Sequence, residues 1–188
     1  MNKLLLTTAC ILCVSTTSTF AQNWSAELYG GLRISDDLNY NTTSFPVDTG
    51  PSIGAAIYRR NLLPNWDFGV DFSLTRADYA GFTTSVKSTA MIAMARYNFP
   101  TAGPISFYGS AGVGVIKVRY DGAAAFPAFT GQSLELGGQV GLGVGYKVGD
   151  LTLFSEVRYQ GTFDDAIIRG QTVEYNSTSI LLGARFGF

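Results

Sequence analysis

Residues Ser133 to Val148 read SLELGGQVGLGVGYKV. Leu134, Leu136, Gly138, Val140, Leu142, Val144, Tyr146 and Val148 fall on one side of the alternation; Ser133, Glu135, Gly137, Gln139, Gly141, Gly143, Gly145 and Lys147 fall on the other. Successive side chains of an extended chain point to opposite faces, so this period of two is a β-strand with one apolar and one polar, glycine-rich face. The Gly149-Asp150 pair that follows is a two-residue hairpin link. It returns the chain through Leu151 to Gln160, where Leu151, Leu153, Val157 and Tyr159 oppose Thr152, Glu156, Arg158 and Gln160.

The same period extends in both directions. Strands are predicted over Trp24–Ser35, Gly50–Tyr58, Trp66–Ala77, Val86–Phe99, Ile105–Tyr120 and Val173–Phe188, which with the first two make eight. In Val86–Phe99 the outer row is expected to be Thr89, Met91, Ala93, Ala95, Tyr97 and Phe99, although Ile92 and Met94 blur the alternation. Long polar or small-residue loops are expected over Asp36–Asp48, around Gly81, over Asp121–Gln132 and over Gly161–Thr172. Short connections at Arg59–Asn65, Pro100–Pro104 and Gly149-Asp150 alternate with them. An even number of strands, with short turns at one end and longer loops at the other, is the pattern of an outer-membrane barrel.

Composition narrows the function classes. The 188 residues are 46% hydrophobic and 14% charged, against a usual charged share of about 25%. Net charge is −1, so no basic surface is expected to neutralise nucleic-acid phosphates. There is no histidine, which removes the commonest general base and metal ligand. Met1 to Ala21 has a positive charge at Lys3, an apolar run from Leu4 to Val14 and a close on Thr19-Phe20-Ala21, the pattern of a secretory signal cleaved after Ala21. That leaves residues 22–188 as one barrel domain. The apolar run is shorter than the roughly 20 residues a membrane-spanning helix needs. Cys10 and Cys13 lie inside this segment, so no disulfide is expected afterwards. Leu12 stands where a lipoprotein signal would place a small residue before Cys13.

A membrane barrel and a soluble ligand-binding barrel of the lipocalin type share this alternation, with inside and outside exchanged. Three features favour the membrane. The polar face collects Glu27, Asp67, Asp71, Glu135 and Glu156 with Arg33, Arg96, Lys147, Arg158 and Arg185. These charges balance, as a lumen just wide enough for side chains requires. Aromatics gather near strand ends at Trp24, Trp66, Tyr97, Phe99, Tyr146, Tyr159, Phe186 and Phe188. The last strand stops on Phe188. The terminus Leu182-Gly183-Ala184-Arg185-Phe186-Gly187-Phe188 resembles the C-terminal aromatic signal, centred here on Phe186 and Phe188, that the Gram-negative barrel-assembly machinery reads. From Trp24 to Phe188 the chain resembles the small eight-stranded outer-membrane barrels that include the OmpA barrel, OmpX and the opacity-type surface proteins. This implies an all-β, eight-stranded antiparallel transmembrane barrel in the bacterial outer membrane, with periplasmic turns and extracellular loops.

The glycine runs Gly109–Gly114 and Gly137–Gly145 are not phosphate loops, because no helix N-terminus follows them; they make room in a crowded lumen. Asn41-Thr42-Thr43 matches a glycosylation sequon by chance. Small outer-membrane barrels that are enzymes, such as the lipid A palmitoyltransferase and deacylase, use a histidine, which is missing here. No catalytic, metal-binding or cofactor-binding residues are therefore expected. The lumenal charges read either as a paired plug or as a gated ion path, since unpaired buried charges would cost several kcal/mol each. Phe45, Phe126, Phe129 and Phe163 are candidate loop contacts for an extracellular ligand. The expected partners are outer-membrane lipids, the assembly machinery and that ligand, with no nucleic acid. The expected function is a non-enzymatic surface protein with a plugged polar lumen; a small porin-like channel and a soluble periplasmic ligand-binding barrel are the alternatives. Mass spectrometry of the exported protein should find Gln22 as its first residue; an N-terminus retaining Cys10 or Cys13 would contradict the signal assignment.

Overall fold

Alternating strands joined by tight turns can pair only with their predecessors, antiparallel and in register. In the computed structural model, which describes residues 23–35, 38–40, 43–45, 49–78, 85–121, 131–164, 166–168, 171–173 and 175–188, they do so eight times over. The strands are β1 (Trp24–Ser35), β2 (Gly50–Leu63), β3 (Trp66–Asp78), β4 (Ser85–Phe99), β5 (Ile105–Asp121), β6 (Gly131–Val148), β7 (Leu151–Thr162) and β8 (Asn176–Gly187). β1 pairs with β8 and closes the barrel. Trp24 and Phe188 exchange backbone hydrogen bonds of 3.0 and 2.9 Å at the foot of that seam. The expected signal segment, Met1 to Ala21, lies outside the described residues.

Apart from shifts of one or two residues at strand ends, the structure departs from the expected elements in three places. β2 continues through Arg59 to Leu63, with its register to β3 shifting between Arg59 and Leu63, so the turn shrinks to Pro64-Asn65. Asn61 and Asn65 take left-handed backbone there, with φ of 52° and 66°, which asparagine tolerates better than most residues. The Asn61 N–H donates to Asp67 Oδ1 at 2.9 Å, which holds the bulge in place. Two of the long loops contain small hairpins, Leu38–Tyr40 with Thr43–Phe45 and Ala166–Ile168 with Gln171–Val173. Val173 therefore belongs to the second hairpin, and the last barrel strand starts at Asn176.

The outward rows are apolar and uncovered: Leu134, Leu142 and Leu182 are 65%, 68% and 65% exposed, and Leu28, Ile53, Val113 and Leu136 join them. The inward rows hold the buried polar groups. A closed barrel with this outside is solvated by lipid, because closure satisfies every backbone group within the protein. The soluble ligand-binding alternative is thereby excluded, since its apolar rows would point inward. The strands run 12 to 18 residues, beyond the roughly 9–11 needed to cross a bilayer, and β5 and β6 are the longest.

Aromatics crowd the turn end. Trp66 lies 5.1 Å from Tyr97, which meets Phe99 edge-on at 5.2 Å, and the Arg59 guanidinium sits over Trp24. Of the eight aromatics expected near strand ends, Tyr159 alone lies toward the loop end. Leu142→Arg, near the middle of the apolar band, should cost about 2–4 kcal/mol of folding stability in vesicles, against about 0–1 kcal/mol for Val148→Arg at the turn end. Denaturant titration of the refolded barrels measures both.

Candidate functional site

Eight strands enclose a space that side chains fill, so inward charges from facing strands meet. Glu27 of β1 receives Arg96 of β4 in a bidentate pair, with Nη1 to Oε1 at 2.5 Å and Nη2 to Oε2 at 2.8 Å. Such charge-assisted forks are the stronger class of hydrogen bond. Arg185, the register partner of Glu27 on β8, donates from Nε to Oε1 at 2.5 Å. The Arg96 guanidinium also stacks between rings, 3.9 Å from Tyr58 and 4.7 Å from Tyr108.

A second cluster reverses the stoichiometry. Arg158 of β7 donates from Nε to Glu156 Oε1 at 2.7 Å and from Nη1 to Asp71 Oδ1 at 3.3 Å. β7 and β3 stand opposite each other in the ring, so the Arg158–Asp71 pair spans the lumen. The Tyr29 hydroxyl donates to Asp71 Oδ1 at 2.8 Å and accepts from Arg158 Nη1 at 2.7 Å, while the Tyr108 hydroxyl donates to Glu156 Oε2 at 2.9 Å. One cluster has two cations for one anion and the other two anions for one cation, and together they cancel. Nearer the loops, Arg33 donates to Thr75 Oγ1 at 2.9 Å and lies 4.6 Å from the Tyr175 ring. Tyr175 donates to Ser88, which also bonds Thr75.

Packing fixes these groups further. A methyl added at Gly143 would run into the Tyr108 ring, and one at Gly183 into the Phe154 ring, so glycine in the inward row is what admits these aromatics.

The family model for the outer membrane protein beta-barrel domain matches residues 6–188. The chain belongs to this family. No curated protein sequence matches it. Among solved structures, Neisserial surface protein A is 20% identical, with 89% of this chain and 99% of that chain covered and a TM-score of 0.66. The outer membrane protein AlkL in lipid bilayers is 21% identical, with 93% and 94% covered and a TM-score of 0.54. The outer membrane protease OmpT from Escherichia coli is 10% identical, with 93% and 99% covered and a TM-score of 0.51. At these identities the likeness is one of fold, and a fold does not by itself fix a function.

Of the ten residues expected to form one charge network, the structure interlocks six: Glu27, Asp71, Arg96, Glu156, Arg158 and Arg185. Asp67 is buried toward the turn end, where it accepts from Asn61 N–H and, at 2.8 Å, from Asn98 Nδ2. Arg33 has a hydroxyl and a ring for partners, and Glu135 is half-buried with Ser133 as its partner. Lys147 is exposed at the turn end. The last two stand near opposite ends of the 18-residue β6, which takes them out of the packed middle of the lumen. Tyr29 and Tyr108 share the parity of Glu27 and Ser110 in their strands, but only the register reveals them as bridges between acid and base.

The lumen is also less polar than expected. Val86, Ala90, Ile92 and Met94 of β4 and Ile116 and Val118 of β5 point inward and form a buried apolar wall with Tyr58 and Tyr175. Gln139 of β6 reaches this wall, donating to Met94 Sδ at 3.1 Å and accepting from Gln160 at 3.0 Å. Among the described residues, no three ligating side chains are grouped to hold a metal ion. Phe163 is exposed just beyond β7. Phe126 and Phe129 lie outside the described residues, and Phe45 contributes backbone pairing to its small hairpin. Phe186 and Phe188 are exposed at the foot of the β1–β8 seam.

Removing one partner of a buried pair leaves the other charge stranded, at a cost of about 3–5 kcal/mol. Arg96→Met should lose that much, and Glu27→Gln combined with Arg96→Met should lose clearly less than the two single variants added together. A double-mutant cycle on refolded barrels reads the difference.

Proposed function

We propose that this protein is a non-enzymatic structural and surface-interaction protein of the bacterial outer membrane, with a lumen closed by its own side chains and the loops presented to the exterior. The observation that carries this reading is the Arg158–Asp71 pair crossing the lumen beside Glu27–Arg96. Guanidiniums held by carboxylates from facing strands, with aromatic rings stacked on them, occupy the space an ion path would need. The chemistry of the packed lumen supports a non-enzymatic role: Glu27, Asp71 and Glu156 are committed to arginines, and the sequence offers no histidine to activate a hydroxyl.

Under this reading the exposed surface chemistry lies in the loops, where the exposed Phe163 belongs to the aromatic set that also includes Phe45, Phe126 and Phe129. Phe186 and Phe188 serve as the recognition element for the assembly machinery, lipids are the constant partner, and nucleic acid is not one. A small channel is the competing reading. In planar bilayers the wild-type barrel should give no stable unitary conductance, whereas Arg96→Ala combined with Arg158→Ala should produce measurable openings. Reproducible wild-type steps, ohmic and unaltered by the double substitution, would establish the channel instead.

A further inference from the structure

The outward face of β3, β4 and β5 changes character near the loop end. Arg76 stands directly opposite Lys87, and Lys87 opposite Arg119, in successive cross-strand pairs; Lys117 lies one alternation below Arg119, opposite Thr89. All four side chains are exposed. Like charges directly opposite one another destabilise a sheet, and here two such pairs are fused into one row. Arg76 meets Asp78 at 3.2 Å. Asp78 stands exposed one alternation further out on β3, and Asp121 is the last residue of β5, so the sequence here sets two acids against four bases. The connecting residues 79–84 and 122–130 add no carboxylate in sequence.

Height along the barrel says what meets this row. An outward aromatic near the turn end and an outward cation near the loop end are separated by the same ten residues on three adjacent strands: Trp66 to Arg76, Tyr97 to Lys87 and Phe107 to Lys117. Ten residues rising about 3.3 Å each on strands tilted about 40° climb about 25 Å, the height of the apolar band of an outer-membrane barrel. Below the cations the same rows continue as Leu74, Phe72 and Val70, as Met91 and Ala93, and as Val115 and Val113. The row therefore lies one hydrocarbon thickness above the aromatic girdle and points sideways into the lipid annulus, where the headgroups of the outer leaflet stand.

We propose that Arg76, Lys87, Lys117 and Arg119 form a binding site for the phosphate groups of a phosphorylated outer-leaflet lipid. An anion placed among them offsets the excess of cations over acids in this region, and lysine and arginine stems can lie along the apolar surface while their heads reach it. A soluble polyanion would approach the loops from above, where the exposed Asp78 lies in its way; a lipid arrives from the side. This rests on the membrane placement and orientation proposed above.

The test uses the refolded barrel in phosphatidylcholine vesicles, alone, with bis-phosphorylated lipid A, or with lipid A stripped of its phosphates. The readout is the midpoint temperature at which the compact unheated gel band converts to the unfolded one. Phosphorylated lipid A should raise the midpoint by several degrees over the stripped form. The combination Lys87→Gln, Lys117→Gln and Arg119→Gln should abolish that rise, while Arg59→Gln with Arg60→Gln at the turn end should keep it. An equal rise with stripped lipid A, or a rise that survives the triple substitution, overturns the proposal. So does a comparable rise from inorganic phosphate or a soluble sulfated polysaccharide in phosphatidylcholine alone, which would assign the site to a free anion. Formation of the compact band in phosphatidylcholine checks the membrane placement separately, and shows that each variant has folded.

Discussion

In hydrocarbon no water is available to hydrogen-bond an exposed strand edge, and that constraint dictates the pairing of β1 with β8. Once the seam exists, the number of strands sets the bore, and the bore sets what the inward residues can be. At eight strands opposite walls lie within reach of two side chains. Arg158 therefore touches Asp71 on the strand opposite, and Arg96 reaches Glu27 across three strand positions. Glycine beside Tyr108 and Phe154 follows from the same shortage of space.

The interior is divided by chemistry. Around the two charge clusters, every arginine has a carboxylate and a ring, and every bridging tyrosine has a carboxylate to donate to. Along β4 and β5 the wall is aliphatic and sulfur-bearing instead. Buried ion pairs contribute uncertain net stability, because desolvation offsets much of their attraction. Their direction is less ambiguous: a fork such as Arg96 on Glu27 accepts one relative placement of β1 and β4, whereas an aliphatic wall tolerates sliding. The polar half supplies registration and the apolar half filling.

Much of this was legible in the sequence, because a half-buried strand writes its faces into alternate positions. β1 was readable end to end from Trp24 to Ser35, and the β6–β7 hairpin from Gly149-Asp150. Alternation was faintest where both faces are apolar: Ile92 and Met94 blur the row of Met91 and Ala93, yet that row is the outward one, and Ile92 and Met94 turn inward to join Ile116 in the buried wall. The bulge at Arg59–Leu63 was hidden because Pro64 reads as the middle of a loop, while the left-handed Asn61 that carries the bulge leaves no trace in hydropathy. Ion-pair partners were out of reach for a different reason. Which acid meets which base depends on the stagger of the closed ring, a property of all eight registers together, so residues with matching inward parity, such as Glu135 and Lys147, could not be told from those in the packed middle.

The seam also orders assembly in time. Seven of the eight strand pairings join strands that follow one another in the chain, across a single turn or loop; the eighth brings together Glu27 and Arg185, 158 positions apart, at a larger cost in chain entropy. Glu27 rides on the first strand, while its two arginines ride on the fourth and the last. The Glu27–Arg185 contact cannot exist in an open sheet, so a barrel that has zipped seven seams still carries Arg185 without its anion. Neutralisation of the interior coincides with the final stitch, and an incomplete cylinder differs from a finished one in electrostatics as well as in shape.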